Sequence, residues 1–206
     1  QNTLVGSEAG VTTDTGLENT AIGYQALKTN VDGDRNTAIG YQALYTMEPA
    51  DASGNNTALG YKAGYAITTS SNNVILGNMA AATATTIDDG VIIGSNAAGI
   101  GTVTGDGNII IGSNAARNVT SLNKSVIIGN EALLNGVATS AAVGTVAIGY
   151  QAMVTNIDGD NSTAIGHYAL YTQEPASNVD MHNVAVGYNS MYGLTTGVKN
   201  VAIGSY

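Results

Sequence analysis

A glycine returns along this chain at nearly constant intervals, at Gly6, Gly23, Gly40, Gly60, Gly77, Gly94, Gly112, Gly129, Gly149, Gly166, Gly187 and Gly204, with spacings between 17 and 21 residues. The phrase around it also returns: NTAIGYQAL runs over 19–27, is repeated unchanged over 36–44, and TVAIGYQAM covers 145–153. A unit this short cannot bury an apolar face alone; it does so only by stacking on its copies, so the chain reads as one repeat domain over 1–206.

Each unit reads the same way position by position. Three residues before the glycine stands Thr, Val or Ile, and one residue before it Ile, Val or Leu, from Thr3 and Val5 through to Val201 and Ile203. Both are strand residues, and being two apart they share a face, which we assign to the interior of a coil. The glycine then permits a corner of positive φ or a close backbone approach. Three residues beyond it stands Ala (Ala9, Ala26, Ala43 and onward), replaced once by Ser190, which suggests a second packed wall. Four residues before it Asn recurs (Asn2, Asn19, Asn36, Asn56, Asn73, Asn108, Asn183, Asn200), the pattern of an amide ladder or an Asx turn. A period of two within a unit, and a unit too short for a helical crossover of ordinary length, predict an all-β chain. The expected fold is a single parallel β-solenoid, or β-roll, of about twelve turns; eleven steps of about 4.8 Å make a rod of about 53 Å.

The residue two before the glycine is apolar in every unit, including Ile75, Ile92, Ile110 and Ile127. On the assignment above it points out of the coil, and strands apolar on both faces are normally covered on both, so this column predicts a partner surface. Where it is Ala, the residue after the glycine is commonly Tyr, as at Tyr24, Tyr41, Tyr61, Tyr150 and Tyr188; where it is Ile, that residue is Asn or Ser. Small with large predicts a shared packing volume, tyrosine over alanine, within or between chains.

Composition agrees with backbone packed closely on backbone: 27 Gly, abundant Ala, Thr and Asn, and no Phe, Trp or Cys. A formal charge of −9 without any basic run opposes binding to nucleic acid or anionic lipid. No stretch of eighteen apolar residues is present for membrane insertion, and the opening QNTLVG reads as the start of an excised segment.

The units NTAIG, NVAVG and NVAIG, with Ala or Ser following, resemble the head repeats of trimeric autotransporter adhesins and are similar to repeats in phage tail-fibre proteins. The resemblance spans all twelve units. It implies a left-handed parallel β-roll, a homotrimer around a threefold axis, an extracellular place on a bacterial surface or virion tail fibre, and a role in attachment to a host cell or surface receptor, a glycan among the candidates. Handedness comes from the resemblance alone, since the general preference for right-handed crossovers predicts the reverse. The turns here, at 17 residues or more, are longer than is typical of those heads.

Chemistry has few footholds. His167 and His182 belong to no metal-ligand spacing and no nucleophile–base motif, so no enzyme activity is expected. Glu48 and Glu174 sit in the matched phrases YTMEPA and YTQEPA, seven turns and about 34 Å apart, too far for a catalytic pair. Those phrases open the longest units, whose extra residues bulge outward, and outward loops carry binding specificity; Tyr45, Glu48, Tyr171 and Glu174 are the receptor-binding candidates, the tyrosines offering flat faces to sugar or protein. The segments NVDGDRN (30–36) and NIDGDNS (156–162) place Asp32, Asp34, Asp158 and Asp160 on tight loops, where their oxygens suit Ca²⁺. Asp-Gly is also plain turn chemistry, and no other cofactor is expected.

The leading expectation is thus a rigid, attachment-presenting fibre segment. The alternatives are a pure spacer and, third, an ice-binding solenoid. The last is disfavoured by the short, interrupted threonine column (Thr3, Thr20, Thr37, Thr57, Thr163), which the assignment above places inside.

Overall fold

The computed structural model describes residues 1–47, 54–101, 103–136, 142–156, 159–174 and 179–206. Among them the chain is all-β with no helix. Twelve three-residue strands, Thr3–Val5, Thr20–Ile22, Thr37–Ile39, Thr57–Leu59, Val74–Leu76, Val91–Ile93, Ile109–Ile111, Val126–Ile128, Val146–Ile148, Thr163–Ile165, Val184–Val186 and Val201–Ile203, form one parallel sheet. They follow in chain order, each pairing with the unit before and after, so the chain is a parallel β-solenoid of about eleven turns. Register follows the repeat without a slip: Ala21 lies opposite Ala38, Ile75 opposite Ile92, and Ile110 opposite Ile127. Units of unequal length therefore absorb their extra residues outside this sheet.

Outside the sheet, the remaining sides of each turn also bond to their neighbours. The amide two residues after the glycine donates to the preceding turn (Gln42 N to Tyr24 O, 2.9 Å), and the amide four after it donates to the next (Leu44 N to Ala63 O, 3.0 Å). Three short parallel pairs, Leu122–Asn123 with Ala142–Val143, Thr155–Asn156 with Thr172–Gln173, and Gly159–Asp160 with Val179–Asp180, extend this on another side.

The assignment of inside and outside is the reverse of the one expected from sequence. The middle residue of each strand faces in: Ala21, Ala38, Ala58, Ile75, Ile92, Ile110, Ile127, Ala147, Ala164 and Ala185 are at most 1% exposed. The flanking β-branched residues face out. Ile75, Ile92, Ile110 and Ile127 are thus core residues of a single coil and not an interface row. Alternation along a strand defines two faces but does not say which is enclosed, and β-branched character suits a half-buried sheet surface as well as a core.

The volume that the middle residue shares belongs to the residue four after the glycine. Ala21, Ala38, Ala147 and Ala164 go with Leu27, Leu44, Met153 and Leu170, while Ile75, Ile92 and Ile110 go with Ala81, Ala98 and Ala116, all of them buried; Ala58 with Gly64 and Ile127 with Leu133 depart from this, and Gly64 lies against Ile75 of the next turn. A methyl added to Gly10 would come within 2.7 Å of Leu4 Cδ2, which shows the two positions facing each other across the coil. Over most turns the narrow interior is filled alternately from one wall and the other. The tyrosines take no part in this exchange; they lie outside the coil while the alanines lie inside.

The asparagine column is an amide ladder that runs through the backbone. Asn19 Oδ1 accepts the amide of Asn36 (2.8 Å), and Asn36 Oδ1 accepts that of Asn56 (3.1 Å). Asn19 Nδ2 meanwhile donates to Gly33 O (2.7 Å), as Asn56 Nδ2 does to Ser70 O (2.8 Å). A short side chain carrying both an acceptor and a donor is what this buried position needs.

Candidate functional site

With the interior filled, function has to reside on the outward faces. The first of these is the sheet itself. Its outer columns hold Thr, Val or Ile three before the glycine and Ile, Val or Leu one before it, and many remain exposed or half-buried, among them Leu59, Val74, Ile109 and Ile165. A parallel sheet ordinarily has both faces covered. Here one face is covered by the chain's own opposite walls and the other is open.

The second is built by the residues one, two and five after the glycine. Tyr24, Tyr41 and Tyr61 stack rung on rung, with centroids 5.3 and 5.2 Å apart and planes tilted by 22° and 13°. Tyr45 and Tyr65, five after the glycine, stack at 5.1 Å. Stacking follows from the parallel register, which places like residues one strand spacing apart. Between the columns run the residues two after the glycine: Gln42 Nε2 donates to Gln25 Oε1 (2.7 Å) and Gln25 Nε2 to Glu8 Oε2 (2.7 Å). Lys28 Nζ also reaches Glu8 Oε2 at 2.7 Å, and this contact holds the Glu8 carboxyl below the usual carboxylate range. Lys62 Nζ lies over two rings, 5.6 Å from the centre of Tyr61 and 5.0 Å from that of Tyr65, so one ammonium spans both tyrosine columns.

Seven turns further on the same positions hold a denser cluster. His167 lies between Tyr150 (4.9 Å) and Tyr188 (5.4 Å), and Tyr171 stacks on Tyr192 at 4.8 Å. Tyr168, two after its glycine, stands edge-on to Tyr171 at 5.6 Å and to Tyr192 at 6.1 Å, and is within 6.5 Å of Tyr188. Burial, followed by the neighbouring Tyr192, pushes the Tyr171 phenol above its ordinary pKa.

The sequence candidates fall unevenly onto these surfaces. Tyr24, Tyr41, Tyr61, Tyr150 and Tyr188 form the first column and are 40–51% exposed in the single chain, lying over one another and not over an alanine wall. Tyr45 and Tyr171 are in the other column, each with one ring face stacked on the tyrosine of the next turn, Tyr65 and Tyr192. Glu174 is exposed, its amide bonded to Thr195 O at 3.0 Å. Glu48 and Asp158 lie outside the described residues. Gln25, Gln42, Lys62 and Tyr168 escaped the sequence reading; the signal for them was that the residue two after the glycine is long and polar or aromatic where its neighbour is Tyr or His, Asn189 excepted.

The aspartates serve the coil. Asp34 Oδ1 accepts the amide of Leu17 (2.7 Å), Asp88 that of Ser71 (2.5 Å) and Asp160 that of Val143 (3.0 Å), each one turn back. Asp32 accepts the Thr15 hydroxyl. Their loops are closed by asparagine, Asn30 Nδ2 donating to Gly33 O (3.0 Å) and Asn156 Nδ2 to Gly159 O (2.7 Å). Among the described residues no three His, Asp or Glu side chains converge on a point where a metal ion would sit, and no helix is long and apolar enough to cross a membrane.

The fold and its surfaces define a class: a parallel β-solenoid repeat protein with one open apolar sheet face and adjacent tyrosine columns. Comparison with family models, with curated proteins and with solved structures finds no match to the chain.

Proposed function

We propose that this chain is a rigid segment of a homotrimeric extracellular fibre, on a bacterial surface or a virion tail, that presents surfaces for attachment to a host. The single observation carrying this reading is the outer face of the twelve-stranded sheet, where Ile, Val, Leu and Thr stand in two unbroken columns, many of them exposed or half-buried among the described residues. A continuous apolar stripe of this kind is uncommon on a monomer and is ordinarily an association surface. Self-association suits it because every copy carries the same straight stripe, and three copies around an axis would close it off. The threefold number comes from the resemblance to adhesin heads, and a stiff rod that displays its side surfaces suits attachment. Sedimentation of the 206-residue chain tests the reading: a trimer is expected, and a stable monomer at micromolar concentration would overturn it.

A purely structural spacer differs only in lacking ligands on those side surfaces. The outward position of Thr20, Thr37 and Thr57 gives the ice-binding reading a ground it lacked when threonine was placed inside. From Val74 onward the column is Val and Ile except at Thr163, so the threonine array is short, and a thermal-hysteresis measurement decides it.

A further inference from the structure

From the two aromatic stations we infer that the polar strip between the Tyr24–Tyr41–Tyr61 and Tyr45–Tyr65 columns is a binding site for an uncharged, linear oligosaccharide, and that Tyr168 fills the equivalent strip seven turns on. The inference rests on the attachment reading for its biological role but not for its geometry.

The two stations are near copies in sequence. GYQALYT at 40–46 becomes GHYALYT at 166–172, so the residue between the columns changes from Gln42 to Tyr168 while Tyr45 and Tyr171 stay in place. At the second station that residue is an aromatic ring packed against members of both columns, Tyr188 on one side and Tyr171 and Tyr192 on the other. At the first station the same place holds amides: Gln42 bonds to Gln25, and among the described residues no donor reaches Gln42 Oε1. Gln25 is only 9% exposed, so the first strip presents the half-buried amide of Gln42 where the second presents an aromatic ring.

Its chemistry selects the occupant. Stacking takes up both faces of Tyr41 and one face each of Tyr24, Tyr61, Tyr45 and Tyr65, so along the strip the rims offer ring edges and phenol hydroxyls, each able to donate and to accept. The floor offers the Gln42 amide, while that of Gln25 is bonded to Gln42 and Glu8. Glu8 and Lys28 neutralise each other at one end, and Lys62 at the other lies over the Tyr61 and Tyr65 rings. Neutral groups that donate and accept along a straight strip match the hydroxyls of a sugar chain laid along the rod. A polyanion would meet a chain of net charge −9.

The test titrates the 206-residue chain with cellohexaose, maltohexaose and chitohexaose by calorimetry, with light scattering on the same samples. Saturable binding of at least one of them is expected, at a single site per chain, weakened about tenfold or more by Gln42→Tyr. Tyr168→Gln is expected to raise the stoichiometry to two. Both substitutions place a residue that the repeat already carries at this corner, where Gln42 has φ 53° and Tyr168 has φ 58°, so the coil is retained. Salt is the second probe: an uncharged ligand binds within about twofold of its low-salt affinity at about 1 M NaCl, and a tenfold loss would overturn the assignment. Absence of saturable binding at millimolar sugar, a folded Gln42→Tyr variant that binds as the parent does, an unchanged single site in Tyr168→Gln, or binding of oligogalacturonate with no neutral chain bound would each overturn it as well. A monomer that binds sugar sinks the fibre reading alone, and a trimer that binds none sinks this one alone.

Discussion

Gly94 is under two constraints at once. Its φ of +136° lies where L residues are strained, and a Cβ there would stand 2.4 Å from the carbonyl oxygen of Gly112 on the next turn. Gly94→Ala should therefore destabilise the coil by about 1–3 kcal/mol from the backbone conformation alone, with the clash in addition, and a thermal melt would show it. Gly107 is the contrast: its φ is +65°, and an added Cβ would meet only Lys124 Cγ at 3.7 Å. The same corner is held by Asn55, Asn72 and Asn161 at φ 55–61°, so Gly107→Asn should leave stability within about 1 kcal/mol of the parent. Tyr171 gives a pH signature. Its folded pKa is raised by burial, so the folded state holds that proton more tightly than the unfolded chain. The associated stability is fully present below the unfolded value of about 10 and is lost as pH rises through the folded value. Burial raises Tyr150 as well, so alkaline absorbance titration should find late-ionising tyrosines, one fewer in Tyr171→Phe, together with melting temperatures that fall on the alkaline side of pH 10.

Within one turn, the exchange of bulk between the middle strand residue and the residue four after the glycine decides stability. Leu44→Ala should cost about 2–5 kcal/mol by opening a cavity, and Ala38→Ile about 1–3 kcal/mol by overfilling the same space. The double variant recreates the pairing of Ile92 with Ala98 and should recover much of both losses, a favourable coupling that denaturant titration of the four proteins would measure. This element also shows what sequence could and could not reveal. The strands, their register and the coil were legible because the repeat dictates them. Which strand face is enclosed was not, since Thr20-Ala21-Ile22 alternates equally well under either assignment; the decisive comparison, Ala21 with Leu27 against Ile75 with Ala81, spans six residues around a bend. The tyrosines were legible as a class but their stacking was not, because it depends on neighbouring turns. Asp34 and Asp160 read as possible ion ligands because their real partners, the amides of Leu17 and Val143, lie 17 residues back.

At the scale of the whole molecule, the two faces of one strand should respond differently to the same charge. Ile111→Lys places an ammonium on the outer stripe and should dissociate the proposed trimer while the coil remains folded. Ile110→Lys buries the charge in the core and should abolish folding. Sedimentation with circular dichroism separates these outcomes, and loss of the coil in both would leave the stripe without its assigned role. The unbroken register has a further consequence for how such a molecule changes length. Thr57 opposes Val74, and Val74 opposes Val91, through the same backbone bonds. Excision of residues 74–90 would bring Thr57 directly against Val91 and close the seam with a rod about 4.8 Å shorter, so that growth or trimming by whole units is a graft the architecture accepts anywhere along its axis.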